Sequence, residues 1–243
     1  MRAITVLIVV GLAMTAARAG ASSPHADIQF TDCIESIGVG LVATEAARAL
    51  VPARFALAGD GQPVTPLVVR TADCGGISVE GRRARAGTIV QIGAVIVPPD
   101  FTGDINNYTI LYYTTDAGLA ILLNLAGVEA QYVPTLTDDY NAGQLHVRVP
   151  RPGFPVVSVD GAVVESHVPA GSFRANWWQA AAHGVVKMDT NVPAIAIGTA
   201  NLVLTTNPRG PLGQLIGGDS IGFPILQQFN LFSTAHMEVS RVP

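Results

Sequence analysis

The sequence predicts an all-β, β-dominated domain: a barrel or barrel-like double sheet with one or two short helices. Runs rich in β-branched and aromatic residues recur along the chain, and Gly, Pro, Asn and Asp punctuate them. Hydrophobic residues make up 49% and charged ones 13% of 243 residues, enough apolar surface for one sizeable core. Several runs are also apolar on both faces, which calls for a second layer or for a barrel with its outside covered.

The first nineteen residues read as an export signal that is removed. Arg2 is the positive start, Ala3 to Met14 the apolar stretch, and Ala17-Arg18-Ala19 a small-x-small cleavage site. The apolar stretch is too short to span a bilayer, and no later stretch offers about 18 uninterrupted apolar residues. A secreted product, extracellular or periplasmic and without a membrane span, is therefore expected. Residues 20–27 are small and polar and read as a flexible lead-in to a single β-barrel-like domain over 28–243.

Cleavage removes Arg2 and Arg18, leaving 12 basic against 18 acidic residues, a net charge of -6 instead of -4. Such a chain has no electrostatic footprint for nucleic acid or anionic lipid. In an oxidising compartment the two cysteines, Cys33 and Cys74, are expected to pair. Loop entropy gives that bridge roughly 4 kcal/mol of stabilisation.

Thr44 to Leu50 reads as a short helix, with Thr44 as its cap, Glu45 in the first turn and Pro52 as the stop. Strand signals follow at Leu67 to Thr71, Thr88 to Val97, Tyr108 to Thr115, Leu145 to Val149, Pro155 to Val168, Ser172 to Trp178, Val185 to Met188 and Ala194 to Thr206. Turn signals stand at Val79-Glu80-Gly81 and Asn207-Pro208-Arg209-Gly210, and Asp160-Gly161 between apolar runs predicts a hairpin. Ala117 to Ala126, behind Asp116, fits a short covering helix or another strand. In the stretch from Ile89 to Val97 only Gln91 is polar.

The order of several pieces resembles the acetoacetate decarboxylase-like β-barrel family. They are Ala49-Leu50-Val51-Pro52 followed by Pro66-Leu67-Val68-Val69-Arg70, the aromatic strand Tyr108 to Tyr113 with its continuation Leu119 to Val128, and Val186-Lys187-Met188. The likeness covers about half of the chain after cleavage. It implies a barrel and, in the family, a lysine that forms a Schiff base with a β-keto acid just after the apolar continuation. Here that stretch reads Glu129-Ala130-Gln131-Tyr132-Val133-Pro134-Thr135-Leu136, without a lysine. The family's first acidic position falls near Thr71 or Asp73 and its second near Gln91. The resemblance thus implies the fold without the decarboxylase nucleophile.

Lys187 is the only lysine in the chain. Flanked by Val185, Val186 and Met188, it is a weak catalytic candidate beside Asp73, and the plainer reading is a strand lysine whose stem covers apolar surface. Gly218-Asp219-Ser220-Ile221-Gly222 matches a nucleophile elbow in letters, but Gly217 and Pro224 spoil the required flanks and a Gly-rich turn is the better reading. His167 and His183 lack partners at metal-ligand spacing, although His183 with Asp189 would make an acid–base pair. No metal or cofactor is called for. Asn107-Tyr108-Thr109 is a glycosylation sequon, usable in a eukaryotic source.

Alternation puts Arg174 with Trp178 on one face of a strand and Phe173 with Trp177 on the other. Whichever face points inward gives the interior an aromatic wall. The function expected is binding of a small, largely apolar ligand, with or without a carboxylate or ketone, inside the barrel. Arg70, Gln91, Tyr112, Arg174 and Trp178 are expected to line it. The alternatives are a decarboxylase-like lyase or other enzyme in the same cavity, and an extracellular structural or adhesion module with exposed tryptophans. The sequence does not give the oligomeric state.

Overall fold

The computed structural model of the protein describes residues 26–151, 154–182 and 184–242; the signal segment and His183 lie outside them. In chain order the elements are β1 (Ala26–Ala43), α1 (Thr44–Arg48), β2 (Val64–Val79), β3 (Arg85–Val95), β4 (Ile105–Thr114), α2 (Ala117–Ala126), β5 (Ala130–Tyr132) and β6 (Thr137–Asn141). They continue with β7 (Gln144–Arg151), β8 (Phe154–Val164), β9 (Pro169–Ala181), β10 (Gly184–Thr205), α3 (Pro211–Ile216), β11 (Ser220–Gly222) and β12 (Leu226–Val242). β1 begins at Ala26, two residues inside the segment expected to be a lead-in.

The sheet closes on itself through β12, β1, β2, β3, β4, β9 and β10, because β10 pairs back onto β12. Neighbours round this closed path are antiparallel apart from β4 and β9, which run parallel; the short β5 also lies parallel to β4. β10 is 22 residues long and serves two layers. Its first part lies between β9 and β12, and its last part, from Thr199, pairs with β8 and carries the β8–β7–β6 extension.

That extension explains the strands that are apolar on both sides. Val90, Ile92 and Ala94 of β3 and Leu67 and Val69 of β2 pack in one cluster with Leu145, Val147, Val157 and Val159 of β7 and β8, on the outside of the barrel. Val68, Ala72, Ile89 and Tyr112, one step out of phase, join a second cluster inside. Burial on both faces is what a covered barrel requires.

The run Ala117 to Ala126 is a helix. Asp116 caps it by accepting from the Leu119 backbone N–H at 2.7 Å, and Gly127 ends it in the left-handed conformation at φ 105°. Its buried residues, Leu119, Ala120, Leu123 and Ala126, join the interior cluster with Ile77, Val186 and Met188 and plug one end of the barrel.

Two local expectations are corrected. Thr44 is the first helical residue and not the cap, because its hydroxyl donates to the Gly59 carbonyl across the loop; Ala43 holds the cap position without a side-chain bond. Asp160-Gly161 is not a hairpin turn but lies within β8, where Gly161 pairs with Leu145 and Leu202. A side chain at Gly161 would collide with the Asn201 carbonyl, so the glycine marks a close approach between strands. Val79 to Arg82 does turn, with Glu80 and Gly81 at positive φ and the Arg82 N–H bonded to the Val79 carbonyl. Cys33 and Cys74 stand opposite each other on β1 and β2 and form the disulfide.

Candidate functional site

At the end of the barrel away from α2, the interior holds a cavity of about 300 Å3. β1 contributes Glu35 and Ile37, β2 Val68 and Arg70, β4 Ile105 and Asn107, β9 Phe173, Ala175 and Trp177, and β12 Leu226, Gln228 and Asn230 by inward alternation, and β10 Thr190 and Val192 and, past its register shift, Ile195 and Ile197. Gly93 makes room for this wall, since a Cβ there would come within 2.7 Å of the Trp177 ring.

The charged centre of the wall is the pair Glu35–Arg70. Arg70 Nε donates to Glu35 Oε2 at 2.5 Å, and Asn230 Nδ2 donates to Glu35 Oε1 at 3.2 Å. Both ions are largely withdrawn from water, with side chains 6% and 13% exposed. A pair this dry holds together only because each charge answers the other. Asp104 stands in the same lining, where one of its carboxylate oxygens accepts the Arg174 backbone N–H at 2.7 Å.

Of the residues expected to line the interior, the structure brings Arg70 to the cavity. Gln91 and Tyr112 face inward but lie outside the cavity lining, in the packed interior; Gln91 Nε2 donates to Thr109 Oγ1 at 3.3 Å. Burial pushes the Tyr112 phenol up. Arg174 and Trp178 lie on the opposite face of β9, because it is Phe173 and Trp177 that point inward. Trp178 is fully buried under the outer layer, where its Nε1 donates to Asn106 Oδ1 at 2.8 Å. With Trp177 also buried, neither tryptophan forms the exposed aromatic surface of an adhesion module.

Lys187 shares that outer face. Its Nζ lies 2.7 Å from Asp100 Oδ2, 2.7 Å from Thr102 Oγ1 and 3.0 Å from Asp189 Oδ2, and 5.4 Å from the Trp178 ring centroid. Arg174 grips Asp189 from the other side at 2.5 Å. Burial raises the Asp189 carboxyl, but the hydrogen bonds from Arg174 and Lys187 outweigh it and hold the group below the usual carboxylate range. The same opposition, with Lys187 and Thr102 donating, leaves Asp100 low. This cluster ties the 97–104 loop to β9 and β10, and no lysine lines the cavity among the described residues.

The other candidates fall elsewhere. Asp73 is on the outer face of β2 and accepts from Thr88 Oγ1 at 2.8 Å. Ser220 opens β11 with its hydroxyl near Asp219, and strands rather than a helix follow it, the arrangement of a turn. His167 is exposed and touches Glu165 at 3.1 Å. No metal-binding cluster of His, Cys, Asp or Glu forms among the described residues. Asn107 of the sequon is 1% exposed inside the barrel, so the folded protein does not present it for glycosylation.

Sequence reasoning missed Glu35, Asn107, Thr190 and Asn230 as cavity groups. Glu35, beside Ser36, and Asn230 interrupt the apolar residues of long strands, Ile34-Glu35-Ser36-Ile37 and Phe229-Asn230-Leu231, and that interruption was the available signal.

Solved structures share this architecture. Acetoacetate decarboxylase from Legionella pneumophila subsp. pneumophila str. Philadelphia 1 superposes with a TM-score of 0.60 at 12% identity, over 99% of this chain and 98% of that one. An acetoacetate decarboxylase-like enzyme from Sphingomonas wittichii RW1 gives 0.56 at 13%, over 96% and 100%. The enduracididine biosynthesis enzyme MppR, complexed with the condensation product of pyruvate and imidazole 4-carboxaldehyde, gives 0.55 at 14%, over 95% and 94%. The chain therefore has the acetoacetate decarboxylase-like barrel as its fold. By sequence, no family model and no curated protein matches.

Proposed function

We propose that this is an exported protein that binds a small, largely apolar ligand inside a decarboxylase-like barrel, without the Schiff-base chemistry of that family. The observation that carries the reading is the cavity itself. It is walled by Trp177, Phe173, Val68, Ile37 and Ile195, has a buried ion pair on one side, and has no lysine. A concave, mostly apolar site with a few fixed polar groups is the usual form of a small-molecule pocket. The Cys33–Cys74 disulfide supports an oxidising compartment. No helix among the described residues is long and apolar enough to cross a membrane.

Native mass spectrometry of the expressed full chain tests both halves of the reading. The expected mass begins near Gly20, and a small molecule leaves on denaturation. Val68→Trp, which fills the cavity from β2, is expected to release the protein empty while leaving its disulfide intact. The same retained molecule in Val68→Trp, or an unliganded wild type whose Trp177 fluorescence responds to no apolar compound, rejects the cavity as the site.

The lyase alternative makes a separate prediction. A Schiff base needs a free amine facing the substrate. The amine of Lys187 is held by two carboxylates on the outer face of the barrel. Incubation with acetoacetate and borohydride is therefore expected to leave the intact mass unchanged. A trapped adduct on Lys187 would restore the enzyme reading.

A further inference from the structure

The polar groups of the cavity wall divide into those the protein satisfies and those it does not. Glu35 and Arg70 neutralise one another. Asn230 is oriented by this pair, because a carboxylate only accepts: its Nδ2 must face Glu35, which leaves Oδ1 pointing elsewhere. That Oδ1 has no hydrogen-bond partner in the protein, and neither has Oδ1 or Nδ2 of Asn107. Both residues stand in the cavity lining and are 1% exposed. Exchanging the O and N of Asn107 changes nothing, since both are unpartnered. Buried amides left unpaired are rare and costly, and a bound molecule that supplies the missing partners removes the cost.

We infer that the polar end of the ligand is an uncharged group presenting a hydrogen-bond donor and an acceptor on one edge, as a lactam does, and is not a carboxylate. This rests on the reading of the barrel interior as the binding site. Asn107 offers one donor and one acceptor side by side, which matches the N–H and C=O of a cis amide in a two-point pairing. Asn230 Oδ1 adds a second unpaired acceptor beside the Asn107 amide, and a carboxylate, which brings only acceptors, leaves both amide oxygens without a donor. An anion is also opposed by charge. The charge of Arg70 is already balanced by Glu35 through its Nε, and a ligand carboxylate would enter a lining that also holds the Glu35 and Asp104 carboxylates, in a dry site where like charges repel strongly. The body of the ligand lies against Trp177, Phe173 and Val68.

Four ring compounds of similar size separate the possibilities: ε-caprolactam, ε-caprolactone, cycloheptanone and cyclohexanecarboxylate, titrated into the disulfide-bonded protein and followed by ligand-observed NMR. Caprolactam is expected to bind about tenfold or more tightly than the lactone, with the carboxylate weakest, because a site built for an N–H discriminates strongly against analogues that lack it. Asn107→Leu is expected to abolish the preference for the lactam while retaining the lactone. If that variant fails to fold, the lactam-to-lactone ratio in the wild type still decides. Equal or tighter binding of the lactone, ketone or carboxylate overturns the inference and leaves the cavity as a binding site. No binding by any of the four overturns both.

Discussion

Arg70→Met is expected to destabilise the protein by about 3–5 kcal/mol, because it leaves a carboxylate inside the barrel without its counter-ion. Glu35 is 4% exposed, and after the substitution its remaining partner in the pair's neighbourhood is the Asn230 amide. The Arg stem is also shortened, but Met replaces most of its apolar volume, so the lost packing is the smaller term. The test is the double variant Glu35→Gln/Arg70→Met, in which neither charge is present and the Gln amide still has Asn230 to bond. It should recover more than half of the loss in a urea melt, giving a coupling energy well above that of an exposed pair. Equal destabilisation of the single and double variants would mean that Arg70 matters for packing alone, and that the pair has no electrostatic part in shaping the cavity.

The barrel was legible because its signals were redundant. Ile89 to Ile96 carries apolar residues on both phases, and the covering layer of β7 and β8 accounts for the outer one. The length and sharing of β10 were not legible. Pro193 and Gly198 interrupt its pattern, so the sequence shows two strands, Val185 to Met188 and Ala194 to Thr206, where the chain runs as one strand through two layers. Pro193 is tolerated where the β9 register shifts between Val192 and Ile195. The Asp160-Gly161 pair carried a hairpin's letters for a different reason, a close passage beside Asn201.

The site was less legible than the fold for a reason built into strands. A period of two says which residues share a face and not which face is inside. Arg174 with Trp178 and Phe173 with Trp177 were equally good aromatic walls, and the choice was made by partners distant in sequence. Asp189 engages the Arg174 guanidinium and Asn106 engages Trp178, both on the outer side. Arg70 was recognisable as a cation in an apolar strand. Its partner Glu35 was hidden because pairing across β1 and β2 depends on register, which the Cys33–Cys74 bridge fixes only once the two strands are known to be neighbours.

The second large effect concerns the outer face of the barrel and appears as a pH dependence. Asp138 of β6 lies with Asp73 and Ile34 in a recess between the extension and the barrel. Burial, with the charge of Asp73 adding to it, pushes its carboxyl up to about 7, against the opposing hydrogen bond from Thr71. In the unfolded chain the group titrates near 3.8. The folded protein therefore holds this proton more tightly, and the resulting stabilisation is complete below about pH 4 and lost as the pH rises through 7. A shift of this size is worth about 4 kcal/mol across that window. Asp138→Asn keeps the shape and removes the titration. Its stability should equal that of the wild type near pH 4 and exceed it by several kcal/mol near pH 8. Comparing the two proteins at each pH cancels Asp100, Asp160 and Asp189, whose depressed carboxyls act in the opposite sense at lower pH. Denaturant melts of both proteins from pH 4 to 8 give the difference directly. A flat difference, or an Asn variant that is the weaker protein at pH 8, would show that Asp138 is ionised and satisfied in the recess, with Thr71 and solvent outweighing Asp73.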